Sequence, residues 1–114
     1  MKYLLLIYGN ITRDAFAELS EDEQKALYEG WGAINATLGV TPGMGMEDPS
    51  AATTIRVENG ETLVTDGPFP QTKEALGGFL VFEADDLDAA IELAARVPTA
   101  RMGGAIEIRP LVER

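Results

Sequence analysis

The run Tyr3-Leu4-Leu5-Leu6-Ile7-Tyr8 is apolar at every position, so a strand there has two apolar faces. Such a strand belongs in the middle of a sheet covered on both sides. Helices can supply one cover, which leaves the other to a second layer. After Gly9 and Asn10 a stretch read as polar leads to Ser20-Glu21-Asp22-Glu23, where a Ser with Glu three positions on matches a capping box. A helix is predicted from that point. Its apolar positions Leu27, Trp31, Ile34 and Leu38 fall on one face, and Gly39 is the expected stop. Gly30 and Gly32 within it each cost about 1 kcal/mol against Ala, which predicts close packing of the helix on the sheet.

Between Val40 and Ser50 the Gly-, Pro- and Met-rich composition predicts only a weak strand, near Gly43 to Glu47. Thr53-Thr54-Ile55-Arg56-Val57 and Glu61-Thr62-Leu63-Val64-Thr65 alternate and are joined across Asn59-Gly60, which predicts a hairpin. Asp66-Gly67-Pro68-Phe69-Pro70 then turns the chain, because residues before proline are driven out of the α region. A strand from Gly77 to Ala84 follows. Asp85-Asp86 caps a second helix with a predicted buried stripe of Leu87, Ile91, Ala94 and Ala95, ended by Pro98. The last strand is Ala105 to Arg109, stopped by Pro110.

In order these elements read β, α, β with a hairpin, β, α, β, the split βαβ arrangement of an α+β, ferredoxin-like domain with an inserted hairpin. Two helices cover one face of such a sheet. The other face stays apolar, and a second copy stacked sheet to sheet is the economical cover. If Ile106 and Ile108 point at the helices, Glu107 and Arg109 point into the space between the sheets, which makes a partly polar cleft.

Composition narrows the chemistry. The 114 residues, 46% hydrophobic and 25% charged, predict one globular domain over residues 1–114. A formal charge of −10 repels phosphate backbones and anionic headgroups, so neither nucleic acid nor a membrane is an expected partner. With no Cys and no His, thiol nucleophiles, Ser-His-Asp triads, imidazole bases and Cys/His zinc sites are excluded. No metal-loop, phosphate-loop or dinucleotide spacing is present, so no metal or cofactor is expected. The apolar N-terminal run is shorter than a signal-peptide core, and no segment approaches the roughly 20 apolar residues of a membrane span. The expected location is the cytoplasm.

The segment Val64-Thr65-Asp66-Gly67-Pro68-Phe69-Pro70-Gln71-Thr72-Lys73-Glu74-Ala75-Leu76-Gly77-Gly78-Phe79 closely resembles the signature of the DGPF-domain, YCII-related proteins. The likeness extends from Lys2 almost to the C-terminus, through Asp85-Asp86-Leu87-Asp88-Ala89-Ala90 and Ile106-Glu107-Ile108-Arg109-Pro110. It implies a ferredoxin-like fold that pairs into a dimeric α/β barrel. The resemblance further implies a neighbourhood beside extracytoplasmic-function sigma factors and, in the wider family, an active-site His and Asp. Here Asp66 stands without a His.

Asp66 is therefore the candidate catalytic group, at the end of a strand and before a turn stiffened by Pro68 and Pro70; the same residue could instead brace that turn through backbone N–H groups. Candidate ligand-binding residues are Tyr8 and Arg109 on central strands, Phe69 as apolar lining, and Lys73 and Glu74 at the cleft mouth. Rim contacts, core packing and solvated charges are the respective alternatives. Trp31, Met44 and Met46 read first as packing. Two functions follow: a homodimer that binds a small molecule between its sheets with Asp66 as acid–base group, or a non-enzymatic module working beside a sigma factor.

Overall fold

A computed structural model of the chain describes residues 1–9, 13–69 and 75–113. Among these residues six strands and four α-helices run in the order β1 (Lys2–Tyr8), α1 (Arg13–Glu18), α2 (Glu21–Asn35), β2 (Val40–Gly45), β3 (Thr53–Glu58), β4 (Glu61–Asp66), β5 (Leu76–Glu83), α3 (Leu87–Ala95), α4 (Pro98–Arg101) and β6 (Ala105–Pro110). Four strands make an antiparallel sheet in the order β2-β5-β1-β6, and β3 pairs only with β4 in a separate two-stranded ribbon. The class is α+β.

The doubly apolar first strand takes the central position that its pattern predicts. Tyr3, Leu5 and Ile7 point to the helical side and are buried, as are Leu80 and Phe82 beside them on β5. Ile34 of α2, Ala90, Leu93 and Ala94 of α3 and Val97 complete this core, with Trp31, Ile106 and Ile108 packed against it. Leu4, Leu6 and Tyr8 project from the opposite face with Phe79 and Val81, and no described helix covers them. Glu107 and Arg109 share that face, as their alternation with Ile106 and Ile108 requires.

Helix α2 starts where the capping box predicts. Ser20 accepts the Glu23 amide at 3.1 Å, and the Glu23 carboxylate accepts the Ser20 amide at 3.1 Å. These bonds hold the Glu23 carboxyl below its ordinary value, the backbone bond being the larger cause. The helix stops at Asn35, one turn earlier than expected, and Leu38 is left outside it in solvent. Gly39 acts after the helix: at φ +92° it turns the chain into β2, where its carbonyl accepts the Glu83 amide at 2.8 Å. Gly30 packs closely, but on Pro98 of α4 and not on the sheet, while Gly32 faces open space.

In α3 the buried stripe is Ala90, Leu93 and Ala94; of the expected stripe only Ala94 is buried, Leu87 and Ile91 being half exposed and Ala95 exposed. Large side chains suggested the wrong phase. Small Ala90 and Ala94 let the helix backbone approach its neighbours, and that closeness outweighs burial of two bigger residues at the rim. Pro98 does not terminate α3, which ends at Ala95; it opens α4 at a first-turn position where its missing N–H costs nothing. The polar stretch before Ser20 contains the short helix α1, whose Phe16 ring meets Tyr28 of α2 edge to face, with centroids 5.5 Å apart.

The ribbon β3–β4 forms as predicted, each strand one residue longer. Asn59 at φ +51° and Gly60 at φ +78° are both left-handed, the pairing that a two-residue type I′ turn needs. Only Thr54 of its twelve strand residues is not exposed.

Candidate functional site

A cavity of about 290 Å³ opens on the helical side of the sheet, beside the β2 edge. Its walls come from five parts of the fold. Trp31 and Asn35 stand one turn apart on the same face of α2, Gly43, Met44 and Gly45 come from β2, and Gly77 to Leu80 come from β5. Ile7 and Gly9 close it at the end of β1, and Thr99 at the start of α4.

Glycine explains why there is space. Pairing of β2 with β5 slips between Pro42 and Gly45, and across the slip Gly43, Gly45, Gly77 and Gly78 offer backbone without side chains. At Gly43 the reason is contact: a Cβ would collide with the Phe79 carbonyl oxygen and ring. Gly45 has room, since the nearest atom to a Cβ there would be the Gly77 oxygen at 3.9 Å. Among the described residues no Asp, Glu, Lys or Arg lines this cavity, so its side-chain hydrogen-bonding groups are the Asn35 amide, the Thr99 hydroxyl and the Trp31 indole N–H. The arrangement suits a small, flat, uncharged molecule held between an indole ring and peptide backbone.

The residues singled out by sequence lie elsewhere. Tyr8 and Arg109 share the uncovered face of the sheet but sit at opposite ends of it. Tyr8 is opposite Ala105, and Arg109 lies four residues further along β6, roughly 13 Å away at strand rise. The Arg109 guanidinium donates to the Glu107 carboxylate at 2.7 Å, so a ligand anion must share or displace that exposed partner. Asp66 ends β4 on the ribbon, opposite Thr53 and exposed. Its carboxylate accepts no hydrogen bond from a described residue; the nearby turn is tied by the Gly67 amide to the Ala52 carbonyl at 2.7 Å and by the Thr54 hydroxyl to the Gly67 carbonyl at 2.6 Å. Phe69 is also exposed, with the Arg56 guanidinium 4.4 Å from its ring centroid. Lys73 and Glu74 lie outside the described residues. The structure thus places Tyr8 and Arg109 on one face, Asp66 and Phe69 on the ribbon, and none of the four in the cavity.

Asn35 and Thr99 carried no sequence signal of their own. Gly43-Met44-Gly45 and Gly77-Gly78 did: glycines inside two strands mark a place where something must approach the backbone closely. Only pairing of those strands shows that the two glycine clusters face each other.

A second concavity of about 320 Å³ lies on the outer side of the helices, where Leu19, Leu27 and Met102 meet Arg96, Arg101 and Glu23. No helix among the described residues is long and apolar enough to cross a membrane.

Comparison with known proteins agrees with the signature at Asp66. The family model for the YCII-related domain matches residues 1–114. An uncharacterized protein of Rhizobium meliloti (strain 1021) is 44% identical over 63 residues, a match covering 54% of this chain and 51% of that relative. The matched region is thus about half the length of the curated relative.

Proposed function

The chain belongs to the YCII-related family, and from that premise we propose that it is a homodimeric, cytoplasmic protein that binds a small organic molecule. Sheet order β2-β5-β1-β6 with its helices on one side supports a ferredoxin-like reading of the fold. Stacking of two such sheets by their uncovered faces gives a dimeric α/β barrel, and the apolar Leu4, Leu6, Phe79 and Val81 support it.

The observation that carries ligand binding is the glycine-walled cavity beside Trp31. Its volume is at the small end of the range for ligand pockets, and its few polar groups are of the kind that orient a ligand. Trp31 is the chain's single tryptophan, so its fluorescence reports directly on occupancy. The test is a metabolite screen read by thermal shift and by Trp31 emission. A true ligand raises the melting temperature by mass action and changes the emission. Gly45→Leu fills the cavity without a backbone clash and is expected to abolish both responses while the unliganded protein still melts cooperatively. Undiminished binding by Gly45→Leu would remove this site from consideration, and a screen with no hit favours the interaction-module function.

Acid–base chemistry is the second reading, and it belongs to the space between the sheets. In it Asp66 is the proton-transfer group, with Tyr8, Phe69, Lys73, Glu74 and Arg109 as ligand contacts. Its support is the position of Asp66 on a ribbon face that the chain itself leaves bare, with no bond to a described residue that would commit the carboxylate to bracing a turn. A carboxylate moved into a drier cleft can serve isomerase- or lyase-type proton transfer.

A further inference from the structure

The two faces of the β3–β4 ribbon are unlike. Register puts Thr54, Arg56, Leu63 and Thr65 on one face, where Phe69 folds back over Arg56 and Thr54 binds Gly67. Ile55, Val57 and Val64 occupy the other, together with Asp66, and their exposures of 54%, 65% and 63% show that no described residue covers them. A two-stranded ribbon has marginal stability by itself in water. An arm with one bare apolar face therefore needs something to lie against.

Surface area points to what that is. A compact chain of 12.2 kDa exposes about 6,000 Å², whereas this one exposes 8319 Å². Its radius of gyration, 16.2 Å, also exceeds the ~13 Å expected for a compact chain of this length. The excess area, roughly 2,000 Å² per chain, is more than twice the ~800 Å² that each partner buries in an ordinary stable complex. The uncovered sheet face cannot account for it, since four strands about 4.8 Å apart and about 20 Å long span only about 400 Å² in projection. The ribbon is unpacked as well, and its six-residue strands reach about 20 Å, the width of the sheet.

We propose that β3–β4 is an exchanged arm: each copy lays Ile55, Val57 and Val64 over Phe79 of the partner subunit, at the β2 rim of the stacked sheet faces. This deepens the homodimer reading above and rests on it. Two-fold symmetry makes the exchange mutual, so both apolar surfaces of both chains are covered in one closed assembly. The arm carries Asp66 on the same face as Ile55 and Val64. Asp66 is thereby delivered to the partner's sheet, and the acid–base site is built from two chains.

The absence of cysteine allows a direct test. Val57→Cys in one chain and Phe79→Cys in a second, size-tagged chain are mixed, refolded together and treated with a short bis-maleimide. The expected product is a cross-link between differently tagged chains, absent when either cysteine is omitted. In parallel, Ile55→Asp is expected to weaken the dimer at least tenfold by analytical ultracentrifugation. A stable dimer with no such cross-link, or with affinity unchanged by Ile55→Asp, overturns the arm and leaves the homodimer standing. A monomeric wild-type chain at micromolar concentration overturns both.

Discussion

The Arg56 guanidinium lies 4.4 Å from the Phe69 ring centroid, and this contact sits on one face of the β3–β4 ribbon while Ile55, Val57 and Val64 on the other have no such neighbour. Replacing Phe69 by Leu keeps apolar cover but removes the π face, a loss of about 0.5–1 kcal/mol at an exposed site. The effect should be confined to the ribbon. Hydrogen exchange is expected to accelerate at Arg56 and Val57 while Leu5 and Leu80, in the core of the four-stranded sheet, keep wild-type protection.

Two glycines should respond in opposite directions to the same substitution. Gly32 is inside α2, and no atom outside the helix's own backbone lies within 4 Å of where a methyl would sit, so Gly32→Ala is expected to stabilise by about 0.5–1 kcal/mol in urea unfolding. Gly43→Ala places its methyl against the Phe79 carbonyl and should destabilise by roughly 1–3 kcal/mol. A neutral Gly43→Ala would mean that the close approach of β2 to β5 is adjustable.

The capping box at the start of α2 carries a pH signature. Glu23 has its carboxyl held below the ordinary 4.5 by the Ser20 bonds, so its contribution is present above that value and lost as pH falls through the lower, folded-state one. Unfolding curves of wild type and Glu23→Gln should differ by a constant amount above the ordinary carboxyl value and converge as pH falls below it. Ser20→Ala removes the cap itself and is expected to cost about 1 kcal/mol at neutral pH.

Asp66→Asn separates structural from chemical use of this carboxylate. Since the Asp66 carboxylate accepts no hydrogen bond from a described residue, the substitution should leave stability within about 0.5 kcal/mol of wild type. Any acid–base activity should collapse. Lost stability with intact activity would return Asp66 to a turn-bracing role.

Local signals read correctly because local physics decides them. Asn59-Gly60 makes the hairpin turn since left-handed backbone is cheap there, and Ser20 with Glu23 starts α2 since both reach orphan amides within one turn. The helix-stripe error at Leu87 and Ile91 has the opposite origin. Periodicity ranks residues by apolarity, but which arc of α3 meets the core, here Ala90, Leu93 and Ala94, is set by the elements packed against it and is not a property of the helix alone.

Residue order by itself determined that β1 is central, that the fold is α+β, that an apolar sheet face remains after the helices are placed, and that chemistry by Cys or His is excluded. Each follows from side-chain type or from alternation along a few residues. Tertiary structure alone decided that Gly43 and Gly45 come to face Gly77 and Gly78 beside Trp31, on the helical side of the sheet and away from the signature at Asp66. A cavity is the volume left when elements distant in sequence meet with small residues at the same place, and one strand's pattern does not encode what stands opposite it.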